Sequence, residues 1–339
     1  MKLIIKKILL KIFGYGKYIK AYTFIKYKKP TVLRLDIVAT CNAQCPMCPR
    51  EYMDKSRLIG KMPLEKIKKI LVDGKKFGFQ TLKVYITSEP TVHPDFNYIM
   101  KFSKKLGYIN HVSTNASLIP RALEGLKFVD NLQISVEGWD KESYEKFRFP
   151  LKFDKVYENL KILNEAIDKK KQNRYIHLPI TKNTNLREFI KLWGNFVNFI
   201  KVDYMQPANL YSNGLMKSEY NEKIKNDYHE FKRIDKNFMC FDPFAEVVVA
   251  YDGKIMLCCL DFNAKYNLGS IEDGFDKLVN NKLRNIIKKQ FYSQNLTTCR
   301  DCSMFYLPSQ ELLENTYNQI KIINNEKISS AKLVFRYLQ

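Results

Sequence analysis

The chain has 339 residues, of which 45% are hydrophobic and 13% aromatic, so a large core is expected and a disordered chain is excluded. Its formal net charge is +22. Lysine is spread over helix-like stretches rather than clustered with arginine and aromatic residues, and we therefore expect no nucleic-acid partner. Eight cysteines without an evident signal peptide favour metal-bound thiolates in a reducing cytoplasm over disulfides.

The first 30 residues are strongly basic, with nine lysines and no acidic residue. Apolar residues recur at helical spacing within residues 1–28, but the lysines among them exclude a membrane span. Two interpretations of this amphipathic segment stay open. It either packs on the core as an ordinary helix or makes peripheral contact with an anionic membrane.

From Val32 to Met205 strand-like and helix-like segments alternate, which predicts an α/β fold with a parallel sheet. The predicted strands are 32–39, 82–87, 109–113, 131–136, 174–179 and 200–205. The predicted helices are Pro63–Gly78, Asp95–Leu106, Lys141–Phe147, Lys155–Lys170 and Asn185–Phe196. Six such units predict a partial (β/α)6 TIM-like barrel whose functional side chains lie at the carboxyl ends of the strands.

Three cysteines follow the first predicted strand at C-x3-C-x2-C spacing, namely Cys41, Cys45 and Cys48. Thiolates at this spacing can converge on one soft metal centre. Three ligands leave a position of a four-ligand centre open to an outside ligand. A zinc loop is the alternative that this motif alone leaves open.

This cysteine loop, placed after a first strand, resembles the radical SAM superfamily. In that family the open iron of a [4Fe–4S] cluster binds S-adenosylmethionine, and one electron cleaves it to a 5'-deoxyadenosyl radical that abstracts a substrate hydrogen. The resemblance implies that Cys41, Cys45 and Cys48 hold this cluster. It also implies a small-molecule or peptide substrate and an electron donor such as a flavodoxin or ferredoxin.

Three further strand ends resemble stretches that bind S-adenosylmethionine in this family. The sequence reads Thr-Ser-Glu-Pro for G-G-E-P, Thr-Asn-Ala for T-N-G, and Ser-Val-Glu-Gly for S-[LI]-D-G. Thr87, Ser88 and Ala116 stand where the family motifs have glycine, which puts in question a backbone conformation that glycine adopts most readily. The resemblance implies that the cofactor contacts are Met47, Ser88, Glu89, Asn115, Ser135 and Glu137.

Other polar residues are assigned from position alone. Arg148 lies in a stretch that resembles the family's Y-E-K-x-R helix; contact with the cofactor carboxylate is the alternative there, and we expect a surface arginine. Asp203 and Tyr204 end the last predicted barrel strand and are candidates for substrate contact. The histidines show no metal-ligand spacing and are expected to be structural; they are His93, His111, His177 and His229.

A second cysteine set has the spacing C-x17-C-x40-C-x2-C and comprises Cys240, Cys258, Cys299 and Cys302. An Asp-Gly turn between apolar segments predicts a hairpin that returns Cys258 towards Cys240. A four-cysteine zinc site is the alternative. The turn and the final C-x2-C resemble the SPASM/twitch extensions of radical SAM enzymes, which implies one fully ligated auxiliary [4Fe–4S] cluster. Cys259 is left over.

The predicted domain organisation has five parts: a basic segment 1–30, a barrel 31–206, a connection 207–239, a SPASM/twitch-like α+β domain 240–305, and a C-terminal helix and tail 306–339. The cysteine spacing resembles the 2-deoxy-scyllo-inosamine dehydrogenase type. It therefore implies a radical SAM oxidoreductase that dehydrogenates a small polyol, aminocyclitol or sugar derivative. Two alternatives stay open, a SPASM-type maturase acting on a ribosomal peptide and a non-enzymatic zinc protein.

Overall fold

The computed structural model describes residues 29–205, 232–233, 240, 242–266, 268–279, 302 and 306–335. The predicted N-terminal segment and most of the predicted connection lie outside these ranges, as do His229 and Cys299. No helix in the described part of the chain is long and apolar enough to cross a bilayer.

Six parallel strands form the centre of one sheet and are hydrogen-bonded to each other in chain order. They are β1 (Val32–Leu35), β2 (Thr81–Lys83), β3 (Ile109–Thr114), β4 (Asn131–Ile134), β5 (Asn173–Ile180) and β6 (Phe199–Tyr204). The predicted α/β class with a six-stranded parallel arrangement is confirmed. Several strands are shorter than predicted, because the residues at their carboxyl ends turn into loops.

Helices follow the strands and cover one face of the sheet. They are α1 (Leu64–Phe77), α2 (Phe96–Lys105), α3 (Ile119–Leu126), α4 (Lys141–Phe147), α5 (Phe153–Ala166) and α6 (Leu186–Trp193). Helix α1 buries Ile67, Ile70 and Leu71 at helical spacing and ends at Gly78, whose φ of +113° suits glycine. Helix α3 is not among the predicted helices.

Short helical turns complete the described connections. They are 3-10 turns at Pro49–Tyr52, Lys55–Arg57, Pro90–Val92, Gly194–Phe196 and Ile271–Asp273, and α-helical turns at Asp242–Ala245 and Phe275–Lys277. The first two directly follow the cysteine loop.

Strand alternation gives the sheet two chemically different faces. One face packs on the helices with buried residues such as Leu33, Leu82 and Leu132. The opposite face, which we call the inner wall, carries polar residues at the alternate positions, including Arg34 and Gln133.

C-terminal residues extend this sheet at both edges. Strand β8 (Glu246–Val249) pairs parallel with β1 and antiparallel with β9 (Ile255–Met256). At the other edge β11 (Lys332–Phe335) pairs parallel with β6, after helix α7 (Gln310–Asn325). A separate ladder joins β7 (Lys232–Arg233) and β10 (Tyr306–Leu307). The sequence pattern predicts α7 but not β11, and the predicted domain limits stay predictions.

Candidate functional site

A cavity of about 330 Å³ lies at the carboxyl ends of β1 to β4. All three cysteines of the first loop line it. So do five of the six predicted cofactor contacts, namely Met47, Ser88, Glu89, Asn115 and Ser135. Four separate strand ends therefore contribute to one cavity, as the parallel topology requires.

Main-chain and side-chain bonds hold the cysteine loop in place. The Cys48 amide donates to the Cys45 carbonyl at 2.9 Å, which closes a tight turn. The Arg50 guanidinium donates to three carbonyls from different segments, those of Ala39, Thr87 and Leu58. A planar cation with several donors can thus fasten three chain segments at once.

Burial makes the three thiols weak acids in the metal-free protein. It raises the pKa of Cys41 to about 11 and that of Cys48 to about 12, and it also raises the pKa of Cys45. The thiols also lie near enough to raise one another's pKa. A soft metal centre must therefore displace their protons on binding, and the donor set of three adjacent thiols fits such a centre.

The Glu89 carboxylate is the buried acid of this cavity, with 2% of its surface exposed. Thr114 Oγ1 donates to it at 2.8 Å and the Asn115 amide at 2.6 Å, and Thr91 donates to the same carboxylate. Burial raises the pKa of Glu89, and these hydrogen bonds oppose that rise. The carboxylate is fixed in position to face a cationic group in the cavity.

The Thr-Asn-Ala turn keeps a left-handed backbone without glycine. Ala116 has φ of +62°, a conformation that costs an alanine free energy. The Asn159 amide donates to the Ala116 and Ser117 carbonyls at 2.9 Å and so holds the turn. The Asn115 side chain accepts from Ser117 and donates to Asn42, and it therefore orders two loops of the cavity.

The two serines predicted to contact the cofactor, Ser88 and Ser135, are hydrogen-bonded to other side chains. Ser88 Oγ donates to Asp36 Oδ1 at 2.6 Å, and burial raises the pKa of Asp36 to about 7. Ser135 Oγ lies 3.0 Å from Ser113 Oγ on the neighbouring strand. No described non-glycine residue near Ser88 has a positive φ, so this turn does not need the glycines that the family motif carries.

Glu137 is displaced from the expected position, and the expectation of a surface Arg148 is wrong. Glu137 is buried, Arg148 is largely buried, and the two form an ion pair in which Arg148 rather than Glu137 lines the cavity. Arg148 Nη1 also lies 3.6 Å from Cys45 Sγ. The Arg148 pKa is raised: burial alone would lower it, but Glu137 and Cys45 outweigh that effect. The hydroxyl of Tyr144 is buried beside this pair, and no residue in the described part of the chain hydrogen-bonds to it.

A buried ion triad on the inner wall was not predicted. The Glu246 carboxylate accepts from Arg34 Nε at 2.6 Å and from Arg34 Nη2 at 3.2 Å, and it also pairs with Lys83. The triad spans β8, β1 and β2. The sequence signal for the triad is a single charged residue in each of these short strands.

Aromatic and amide side chains continue the inner wall from the triad towards the cavity. Tyr85 lies against Arg34, with the guanidinium 4.9 Å from the ring centre. His111 Nε2 lies 2.6 Å from Tyr175 Oη, which donates to Gln133 at 3.1 Å. Burial lowers the pKa of His111 to about 4, and nearby cations add to this effect. His111 is therefore a neutral hydrogen-bonding group at neutral pH.

The other described histidines differ in setting. His93 is buried and bonds to the Met62 carbonyl at 3.1 Å, as expected of a structural residue. His177 Nε2 lies 3.1 Å from Asp203 on the inner wall and is partly exposed. Tyr204 faces the other way and donates to Thr316 of α7 at 2.6 Å. Of the two residues expected to contact substrate, only Asp203 therefore faces the inner wall.

Three described cysteines of the second set lie near one another, namely Cys240, Cys258 at the end of the β8–β9 hairpin, and Cys302. Burial raises the pKa of Cys258 well above its usual range, and Cys259, Cys240 and Cys302 add to that rise. The pKa of Cys259 is also raised by burial but responds to different neighbours, among them Arg34. The two adjacent thiols thus respond to different neighbouring groups, and their roles stay predictions.

The thiol sets are not preformed sites for a single ion. Among the residues that the structure describes, no group of three His, Cys, Asp or Glu side chains is arranged to hold one metal ion. An iron–sulfur cluster spaces its thiolates more widely than one ion does. The assignment of ligands therefore remains a proposal that rests on sequence spacing and electrostatic proximity.

Comparison with known proteins identifies two family models in this chain. The Radical SAM superfamily model matches residues 36–192, and the SPASM iron–sulfur cluster-binding domain model matches residues 240–303. A curated relative is a Pyrococcus furiosus tungsten-containing aldehyde ferredoxin oxidoreductase cofactor-modifying protein, 35% identical over 89 residues. That match spans 26% of this chain and 24% of the relative.

Solved structures resemble the fold at low sequence identity. Streptococcus suis SuiB bound to precursor peptide SuiA matches with a TM-score of 0.58 and 15% identity, over 80% of this chain and 70% of that one. BtrN in complex with AdoMet and 2-DOIA matches with a TM-score of 0.49 and 15% identity, over 81% and 93% of the two chains. The two family models together match most of the chain, and the protein therefore belongs to the radical SAM superfamily, whose members use S-adenosylmethionine and an iron–sulfur cluster, and carries a SPASM iron–sulfur cluster-binding domain.

Proposed function

We propose that this enzyme oxidises a hydroxyl-bearing carbon of a small polyol, aminocyclitol or sugar derivative to a ketone. In this proposal the first cysteine loop holds the cofactor-binding cluster and the second cysteine set holds one auxiliary cluster. When bound, the reduced cluster and S-adenosylmethionine supply the radical that abstracts a substrate hydrogen. Membership of the radical SAM family sets aside the non-enzymatic zinc alternative.

The observation that carries the proposal is the polar inner wall between the two cysteine sets. The first set follows the carboxyl end of β1. Cys258 follows β9, which runs antiparallel to β8 and so leads away from that end. The neighbouring Cys259 acts electrostatically on Arg34, in the middle of the wall. In this proposal a substrate bound on the wall lies between the two cysteine sets. The radical formed at the first set can then remove a hydrogen atom, and the auxiliary cluster at the second set can accept an electron.

Cofactor binding is assigned to the residues that line the cavity. Glu89 pairs with the ammonium group of S-adenosylmethionine, because a fixed buried carboxylate and an ammonium are complementary. Met47 packs against the buried cluster of Phe147 and Met205 and offers an apolar surface for a flat ring. Arg148 offers a cation on the same cavity, and Glu137 acts by orienting Arg148 rather than by direct contact.

Oxidation of an alcohol also requires a group that accepts the hydroxyl proton. His177 lies on β5, where the strand register continues to a position opposite Ser135 of the cavity wall. Its partner Asp203 lies 3.1 Å from Nε2 and orients the ring. We expect Asp203→Asn to lower ketone formation by about 10²-fold while 5'-deoxyadenosine is still produced. Equal losses of both products would assign Asp203 a structural role instead.

The experiment that tests the function is a product balance. Anaerobic cluster-loaded enzyme is incubated with S-adenosylmethionine, reductant and a panel of polyols, aminocyclitols and sugars. The proposal expects one ketone for each 5'-deoxyadenosine, with reduction of the auxiliary cluster. Redox-neutral products without any change in the auxiliary cluster would refute it.

A ribosomal peptide is the second candidate substrate. The observation in its favour is the fold similarity to SuiB, which was crystallised with a precursor peptide. That similarity is at 15% identity and concerns the fold. Turnover of a peptide encoded beside the gene, with no polyol turned over, would decide for this candidate.

A further inference from the structure

Arg148 contacts the first cysteine loop as well as the cofactor cavity. Its Nη1 atom lies 3.6 Å from Cys45 Sγ, within reach of a charge-assisted hydrogen bond to sulfur. Its Nε atom pairs with the carboxylate of Glu137. One planar cation therefore meets an anionic carboxylate through one nitrogen and a cysteine sulfur through another.

A glycine sets the position of the helix that leads to this arginine. Gly138 has φ of +99°, and a Cβ on it would lie 2.3 Å from the backbone nitrogen of Tyr144. Helix α4 can therefore pack directly on the loop after β4 because this residue has no side chain. The Arg148 amide donates to the Tyr144 carbonyl at 2.8 Å, so the two residues lie one helical turn apart and on the same face.

The Tyr144 hydroxyl supplies a second donor at the same place. The tyrosine side chain is fully buried, and its ring packs on Trp193 with the ring centres 5.7 Å apart. The hydroxyl lies near enough to Arg148, Glu137 and Cys45 to interact with them electrostatically. Among the residues that the structure describes, none hydrogen-bonds to it. A buried donor without a partner indicates a group that binds beside it.

The cation outweighs the anion at the sulfur of Cys45. Burial raises the pKa of Cys45, and Arg148 opposes that rise more strongly than Glu137 adds to it. As seen from this sulfur, the ion pair is therefore a net positive neighbour. An iron–sulfur cluster gains negative charge on reduction, and hydrogen bonds and positive charge at its sulfur atoms stabilise that charge.

We propose that Arg148, with Tyr144 beside it, raises the reduction potential of the cluster held by the first cysteine loop by donating to sulfur at Cys45. The inference rests on the proposed role of the three cysteines as cluster ligands. In the one-electron step the reductant loses an electron and the cluster gains it, and the added charge lies next to these donors. Glu137 holds the guanidinium in place and partly offsets its charge. This role is present before S-adenosylmethionine binds.

The test is a reduction titration of anaerobic cluster-loaded enzyme without S-adenosylmethionine. Dithionite supplies the electrons through redox mediators, and EPR spectroscopy follows the reduced clusters. The signal of the first-loop cluster is the one that changes when S-adenosylmethionine is added to a separate sample. Because the cofactor is absent from the titration, an arginine that serves only to bind it leaves the potential unchanged.

The expected shifts differ in sign between the variants. Arg148→Gln should lower the equilibrium constant for reduction about tenfold, which is a potential about 59 mV more negative. Arg148→Lys keeps the charge and should recover part of that loss. Tyr144→Phe removes only the hydroxyl and should shift the potential in the same direction by less. Glu137→Gln should shift it in the opposite direction, because the opposing anion is removed.

Two matched controls separate these shifts from general effects of substitution. Arg187→Gln removes the same charge from an ion pair with Glu326, which lies on the exposed surface. Tyr157→Phe removes the hydroxyl of a second tyrosine that packs on Trp193. Both variants should keep the wild-type potential.

Each other outcome has a definite meaning. A wild-type potential in Arg148→Gln overturns the proposal, and so does a shift of the same sign in Arg148→Gln and Glu137→Gln, because the pair then acts only by holding the fold. If Arg148→Gln takes up no iron, wild-type potentials in both Glu137→Gln and Tyr144→Phe overturn the proposal. A wild-type protein that holds no iron after reconstitution refutes the ligand set instead, so the two failures are distinguishable.

Discussion

The ion triad that ties β8 to the barrel predicts a large and specific loss of stability. Glu246 binds Arg34 through two hydrogen bonds and also pairs with Lys83. Glu246→Ala removes the anion and leaves Arg34, which is 8% exposed, as a buried cation without its carboxylate. Breaking a buried ion pair in this way costs about 3–5 kcal/mol. A domain has about 5–15 kcal/mol of net stability, so we expect a clearly lower unfolding midpoint.

The measurement is urea unfolding of anaerobic protein, followed by the fluorescence of the fully buried Trp193. Glu158→Ala is the matched control, because Glu158 pairs with Lys161 on the exposed surface of α5 and little change is expected. The apolar pair Arg34→Met/Glu246→Leu should recover most of the lost stability, because both buried charges are removed together and the remaining Lys83 is partly exposed to solvent. A midpoint for Glu246→Ala that moves no further than that of the control would refute the reasoning.

Three further predictions concern single residues. Cys258→Ser should lower the iron content from about eight to about four irons per chain. Cys259→Ser should leave the iron content unchanged, since the two thiols face different groups. Equal iron loss in the two variants would contradict this prediction. Glu89→Gln should weaken the binding of S-adenosylmethionine at least about tenfold, because a charge-assisted hydrogen bond is lost. Equilibrium dialysis measures this affinity, and the iron content should stay unchanged. An unchanged affinity would contradict the prediction. The Asp36 pKa of about 7 in the folded state exceeds the ordinary 3.8, so wild-type stability should fall by about 2 kcal/mol from about pH 5.5 to about pH 8. Asp36→Asn should lack that fall in urea unfolding at the two pH values, and an identical fall in both proteins would exclude Asp36 as its source.

The parts of the site that the sequence predicts are local in the chain. Cys41, Cys45 and Cys48 lie within eight residues, so their spacing alone brings them to one loop. Glu89 and Asn115 each follow a strand, and parallel strands with helical crossovers present their carboxyl ends at one edge. Spacing and topology together were sufficient to bring these residues to one cavity, as the structure has them.

The parts that escaped prediction depend on contacts between distant segments. Arg148 has the sequence setting of an exposed helix residue, but it pairs with Glu137 and lies 3.6 Å from Cys45, which is 103 positions away in the chain. The Arg34–Glu246 contact joins residues that are 212 positions apart. Nothing local in β11 (Lys332–Phe335) indicates that it pairs with β6, because pairing at a sheet edge is decided by the free edge of the neighbouring strand.

The placement of these distant contacts bears on function as well as on stability. A buried triad of charges is seldom more stable than apolar residues of the same size, so its presence on the inner wall calls for another reason. Glu246 belongs to the strand that leads into the second cysteine set, whereas Arg34 belongs to the strand that leads into the first. The triad therefore fixes the register between the two cysteine sets. If the auxiliary cluster accepts an electron from a substrate on this wall, the double variant Arg34→Met/Glu246→Leu should regain the stability that Glu246→Ala loses but should not regain ketone formation. That result would separate the structural role of the triad from its functional role.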